Sequence, residues 1–145
     1  MNSPAKHVCR FILAAVFVVA GVTKIAHPAD FFSDLMGYRV PWPEMFLRIV
    51  AVFLPWLEVI TGIGLLLNVW AETIRPLVSM LCLVFVVMLA QAVLRGLDLN
   101  CGCFGAVGAG WFERPDVALV RAALLFAAAL YITAVPAASS TARSA

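Results

Sequence analysis

Residues 77–94 read LVSMLCLVFVVMLAQAVL, eighteen positions without one Asp, Glu, Lys, Arg, Gly or Pro. At 1.5 Å per residue a helix of that length covers about 27 Å, close to the hydrocarbon thickness of a bilayer. Three further apolar stretches meet the same requirement, at about 8–26, 49–70 and 117–135, the last of them carrying Arg121. No apolar–polar alternation competes with them, and a membrane barrel would need a polar residue at every second position. The reading is an all-α integral membrane protein: a four-transmembrane-helix bundle forming one membrane domain over residues 1–135, with 136–145 as a flexible C-terminal tail.

Composition agrees. Of 145 residues, 64% are hydrophobic and 12% charged, whereas a soluble domain is about half apolar and a quarter charged. Mean hydropathy is +1.03. The net charge of +2 and the lack of any Lys/Arg run argue against nucleic acid as a partner. The first apolar stretch follows Lys6 and Arg10 as a signal peptide would. It runs past the length of an h-region, however, and no small-x-small cleavage site follows it, so a membrane span is expected.

Between the first two spans, residues 27–48 hold Pro28, Pro41 and Pro43 together with Phe31, Phe32, Leu35, Met36 and Tyr38. That mixture predicts a short amphipathic piece on the membrane surface. Residues 71–76 are expected to be a tight turn, with Pro76 starting the next helix. Lys6 and Arg10 favour a cytoplasmic N-terminus, although Lys24, Arg39 and Arg48 count against it. A bacterial inner membrane location with the 95–115 loop in the periplasm is the resulting expectation.

That loop carries Asn100-Cys101-Gly102-Cys103-Phe104-Gly105. Two thiols separated by one glycine close a very small, strained disulfide, which suits exchange better than stapling. Two thiolates also suit Cu(I), so copper or another soft metal is the competing reading. Zinc would need two more ligands, and His27 alone stands on that side. Cys9 and Cys82 fall on the opposite side by span counting and read as ordinary buried or interfacial thiols.

Alternating spans bring the end of the first, the start of the second, the end of the third and the start of the fourth to one face. Lys24, Glu58, Gln91, Arg95, Asp116 and Arg121 then occupy the half-bilayer nearest Cys101 and Cys103, while the other half offers mainly Asn68, Ser79 and Cys82. Ionisable groups inside spans are costly and usually mark function. A Lys24–Glu58 ion pair is equally consistent with a purely structural lock between two helices. Pro55-Trp56 beside Glu58 frees a backbone carbonyl, a common sign of a cavity. Lys24, Trp56, Glu58 and Arg121 are therefore candidates to line a site for a quinone or another small electron acceptor. Arg95 and Arg121 are candidates to favour thiolate at Cys101 and Cys103.

These residues resemble a known family. Gly21-Val22-Thr23-Lys24 followed by Pro28 and Phe31, and Leu54-Pro55-Trp56-Leu57-Glu58 followed by Gly62, are similar to the first two helices of the DoxX-like membrane proteins. Cys101-Gly102-Cys103-Phe104-Gly105, followed by Arg114 and Asp116, resembles the MauE (methylamine utilisation) branch. The resemblance implies a four-helix membrane bundle associated with the maturation of periplasmic disulfide-containing proteins, often beside a thioredoxin-like partner, and a link to quinone. The better-understood disulfide-generating relatives use two cysteine pairs spaced Cys-x-x-Cys, whereas this chain has one pair with a single intervening residue. The expected activity is thiol–disulfide oxidoreduction at Cys101 and Cys103 with a periplasmic thioredoxin-like or disulfide-containing partner. A copper-handling protein or a non-catalytic membrane subunit of a redox complex are the alternatives.

Overall fold

The computed structural model describes residues 4–97 and 114–134. They form five helices: α1 (Pro4–Ala26), α2 (Pro28–Gly37), α3 (Glu44–Leu67), α4 (Ala71–Leu94) and α5 (Pro115–Ala134). All except α2 are long and apolar enough to cross a membrane, and the chain is an all-helical bundle of four spans. No strand occurs among the described residues.

Packing follows from where side chains are small. At Gly21 an added Cβ would stand 2.6 Å from Val59 Cγ2 and 2.8 Å from the Pro55 carbonyl oxygen. At Gly62 it would stand 2.8 Å from Val18 Cγ2 and 3.1 Å from the Ala14 carbonyl oxygen. Each helix thus offers a glycine to the other's backbone, a close approach suited to membranes, where shape rather than water expulsion drives association. The two contacts also set an antiparallel register that places Lys24 opposite the Pro55 turn. α1 and α4 each neighbour α3 and α5, so α1 and α4 stand diagonally across the bundle. Leu13, Ala14, Phe17, Leu65, Val78, Leu81, Cys82, Ala129 and Ile132 fill the core between all four.

α3 begins at Glu44, five residues before the expected span. Its first turn is supported by Pro43 at the N-cap in extended geometry and by an i,i+4 ion pair from Arg48 to Glu44 at 2.7 Å. These turns project past the end of α1, and the short amphipathic α2 covers them with Phe31 and Leu35 against Leu47 and Ala51. The tight turn expected at 71–76 is corrected. The reversal lies at Asn68–Trp70, where Asn68 and Trp70 adopt φ of +54° and +48°, and Pro76 sits inside α4. In the second turn of α4, Pro76 removes one backbone hydrogen bond and crowds the Glu72 carbonyl, and the helix continues through it.

At the far end of α4, Arg95 donates from Nη1 to the Tyr38 and Arg39 carbonyls at 3.5 and 3.3 Å. Tyr38 packs with Leu89, Ala92 and Ala118. The connection after α2 is thereby bound to the ends of α4 and α5.

Candidate functional site

Lys24 and Glu58 are only 2% and 1% exposed. Lys24 Nζ donates to Glu58 Oε1 and Oε2 at 2.6 and 2.8 Å. The ammonium also lies 5.0 Å from the Phe31 ring centroid and 4.8 Å from that of Phe85, within cation–π range. One cation thus collects a carboxylate from α3 and aromatic faces from α2 and α4. Two N–H bonds satisfy the carboxylate's two oxygens, and the rings shield the ammonium. A charge is tolerable inside a membrane only when paired and bonded in this way.

The local sequence explains the geometry. Lys24 lies two residues before the end of α1, so its stem reaches inward along the bundle. Gly21, one turn earlier, lets α3 approach closely enough for Glu58 to meet it. Thr61, 1% exposed, donates to the Leu57 carbonyl at 2.7 Å and so consumes its hydroxyl within α3.

Beside the pair is a cavity of about 50 Å³ lined by Phe17, Lys24, Glu58, Cys82, Phe85 and Arg121, among others. That volume accommodates a few water molecules, each needing polar partners of the kind these charged groups supply.

Of the residues singled out in the sequence, Lys24, Glu58 and Arg121 line one cavity. Trp56 does not join them. It is 56% exposed and lines an outer, apolar groove of about 500 Å³ with Ile49, Val50, Phe53, Leu54, Leu57 and Ile60, on the bundle's lipid-facing side. Cys82, expected in the opposite half-bilayer, is placed differently. It lies midway along α4 and lines the same cavity as Glu58, because a mid-span residue belongs to neither half. Cys101 and Cys103 lie outside the described residues. The ends of α4 and α5 that flank their segment stand on the face where α1 ends and α3 begins. Among the described residues there is no group of three or more His, Cys, Asp and Glu side chains that could hold a metal ion.

Phe31, as a wall of the ion pair, and Phe85 are site residues that inspection of the sequence missed. Phe31 shares one face of α2 with Leu35, four residues on, and that spacing marks it as inward-facing. Phe85 follows Cys82 by three residues and shares its face for the same reason.

Residues 3–135 match the family described as methylamine utilisation protein MauE. The methylamine utilization protein MauE of Paracoccus denitrificans is 36% identical over 96 residues, covering 66% of this chain and 51% of that protein. Its counterpart in Methylorubrum extorquens is 34% identical over 96 residues, with the same shares of 66% and 51%. That of Paracoccus versutus is 35% identical over 123 residues, or 83% of this chain and 64% of that protein. The matched part thus spans about half to two thirds of the length of these relatives. No solved structure matches the chain.

Proposed function

This chain belongs to the MauE family, and on that premise we propose that it serves methylamine utilisation as an inner-membrane thiol–disulfide exchange protein. Its working groups are Cys101 and Cys103, and its partner is a periplasmic thioredoxin-like or disulfide-containing protein. The observation that carries this reading is the Cys101-Gly102-Cys103 motif, joined in the chain between α4 and α5. The flanking ends of those helices open on the face beneath which Lys24, Glu58 and Arg121 gather. The wider kinship with DoxX-like proteins belongs to the same proposal.

The exchange runs through two displacements. A partner thiolate attacks one sulfur of the Cys101–Cys103 disulfide, forming a mixed disulfide and releasing the other cysteine as thiolate. The partner's second thiolate then breaks the mixed bond, leaving the partner oxidised by two electrons and the pair reduced; the reverse order transfers electrons the other way. Arg121, half-buried at the cavity, and Arg95 at the end of α4 contribute positive potential that favours thiolate. Coupling of the pair to a quinone or another small electron acceptor belongs to the same proposal.

Replacing Cys101 or Cys103 singly with Ser tests the proposal. One of the two variants should accumulate a mixed disulfide with the partner, visible as a reducible band on non-reducing gels. Failure of both variants to trap anything refutes the exchange. A membrane-impermeant maleimide applied to intact cells should label the pair only after reduction. Labelling without reduction, or only after a copper chelator is added, contradicts a resting disulfide and favours the soft-metal alternative.

A further inference from the structure

The face opposite the ion pair is where α1 and α4 begin and α3 and α5 end. Two arginines sit on that face, one on each of two helices. Arg10 lies six residues into α1 and Arg75 four residues into α4, roughly 9 and 6 Å from the helix starts. Both are half-buried, and their helices face each other across the mouth of the bundle, where Cys9 and Ile74 pack on the same core.

Among the described residues, neither guanidinium has a carboxylate partner. Arg10 is placed 5.4 Å from the Phe11 ring, and its buried Nε donor has no hydrogen-bond partner among the described residues. Arg75 forms no ion pair there, and Lys6 stands within the electrostatic field of both arginines. Glu72 is the one carboxylate on this face among the described residues, and it is exposed. Two half-buried guanidinium groups with an unanswered buried donor call for an anion. At this depth in a bilayer the anion at hand is a lipid phosphate, and planar guanidinium forks match its oxygens.

We propose that Arg10 and Arg75 form a binding site for the phosphodiester headgroup of an anionic lipid. Phosphate oxygens accept from the Arg10 Nε–H and from the Arg75 fork, and the acyl chains extend from the mouth of the bundle into the surrounding bilayer. This site is independent of the thiol chemistry on the opposite face.

Native mass spectrometry of the full chain, released from micelles holding equal amounts of phosphatidylglycerol and phosphatidylcholine, tests the site. Two basic side chains at an anionic surface predict a roughly thirtyfold preference for phosphatidylglycerol in the first bound lipid. The double variant Arg10→Gln/Arg75→Gln should lose that preference, whereas Arg10→Lys/Arg75→Lys and Arg39→Gln, on the opposite face, should keep most of it. A photoreactive phosphatidylglycerol on the unmodified chain gives a second measurement that needs no variant. Its cross-links should map to residues 4–14 and 71–79. Cross-links confined to the Lys24 face, an unchanged preference in the double glutamine variant, or displacement of the lipid by millimolar inorganic phosphate each overturn the proposal.

Discussion

Removing one member of the Lys24–Glu58 pair should harm the protein far more than removing both. At 2.6 Å and an effective dielectric near 20, the gross attraction is about 6 kcal/mol. Desolvation of two ions, each several kcal/mol, offsets most of it, so the intact pair contributes little net stability. Lys24→Met leaves the Glu58 carboxylate buried beside a cavity of about 50 Å³ with no cation to answer it, and the expected cost is about 3–5 kcal/mol. Glu58→Leu strands the ammonium between Phe31 and Phe85, which supply only about 2 kcal/mol each when desolvated, and should cost a similar amount. The double variant Lys24→Met/Glu58→Leu replaces the pair with apolar groups of similar volume, with the methionine sulfur against the same rings. It should lie within about 2 kcal/mol of the parent. Unfolding followed by loss of helical signal as sodium dodecyl sulfate displaces a mild detergent yields all four corners of the cycle. Non-additivity of at least about 3 kcal/mol is expected. Single effects that add within about 0.5 kcal/mol would show that the two side chains do not meet.

The same titration checks the α1–α3 crossing. Gly21→Ala should cost about 1–3 kcal/mol, because the new Cβ meets the Pro55 carbonyl and the Val59 nitrogen at 2.8 and 3.1 Å, and backbone cannot turn aside. Gly64→Ala should cost clearly less, since it meets the movable tip of Ile74, and equal costs would contradict the crossing. On α2, partial burial and the neighbouring Asp30 carboxylate hold the Asp34 carboxyl above its ordinary value of 3.8. The unfolded chain therefore ionises first as pH rises, and Asp34 destabilises the fold increasingly above about pH 4. Asp34→Asn should raise the unfolding midpoint slightly at neutral pH and leave it unchanged below pH 4; a gain confined to acid would reverse the sign.

Span count and helix type were legible because each apolar stretch is long enough to admit one interpretation. The α4 start is not legible because Pro76 carries the sequence signal of a helix boundary, while Asn68 and Trp70, both at positive φ, carry no strong signal for the turn. Which face each helix turns inward was less legible. Trp56 and Glu58 differ by about 200° around a helix, so both could not line one cavity, and that spacing alone would have separated them. Phe85 and Cys82 meet the ion pair through the rotation of α4, and an uncertainty of two to four residues at a helix end rotates a face by more than half a turn. The thiol motif was the clearest chemical signal in the chain, and it lies outside the described residues.

The separation of the ion pair along the chain, 34 residues, also orders its biogenesis. At about 5–20 residues per second, Lys24 leaves the ribosome roughly two to seven seconds before Glu58. Lying two residues from its helix end, it can wait with its ammonium among the headgroups. Glu58, fourteen residues into α3, has no such refuge, because a carboxylate so far from either terminus meets the full insertion cost of an acidic group. The lysine already waiting in the membrane offers that carboxylate a counter-ion as the later helix enters, so the order of the two charges along the chain lowers the cost of inserting α3.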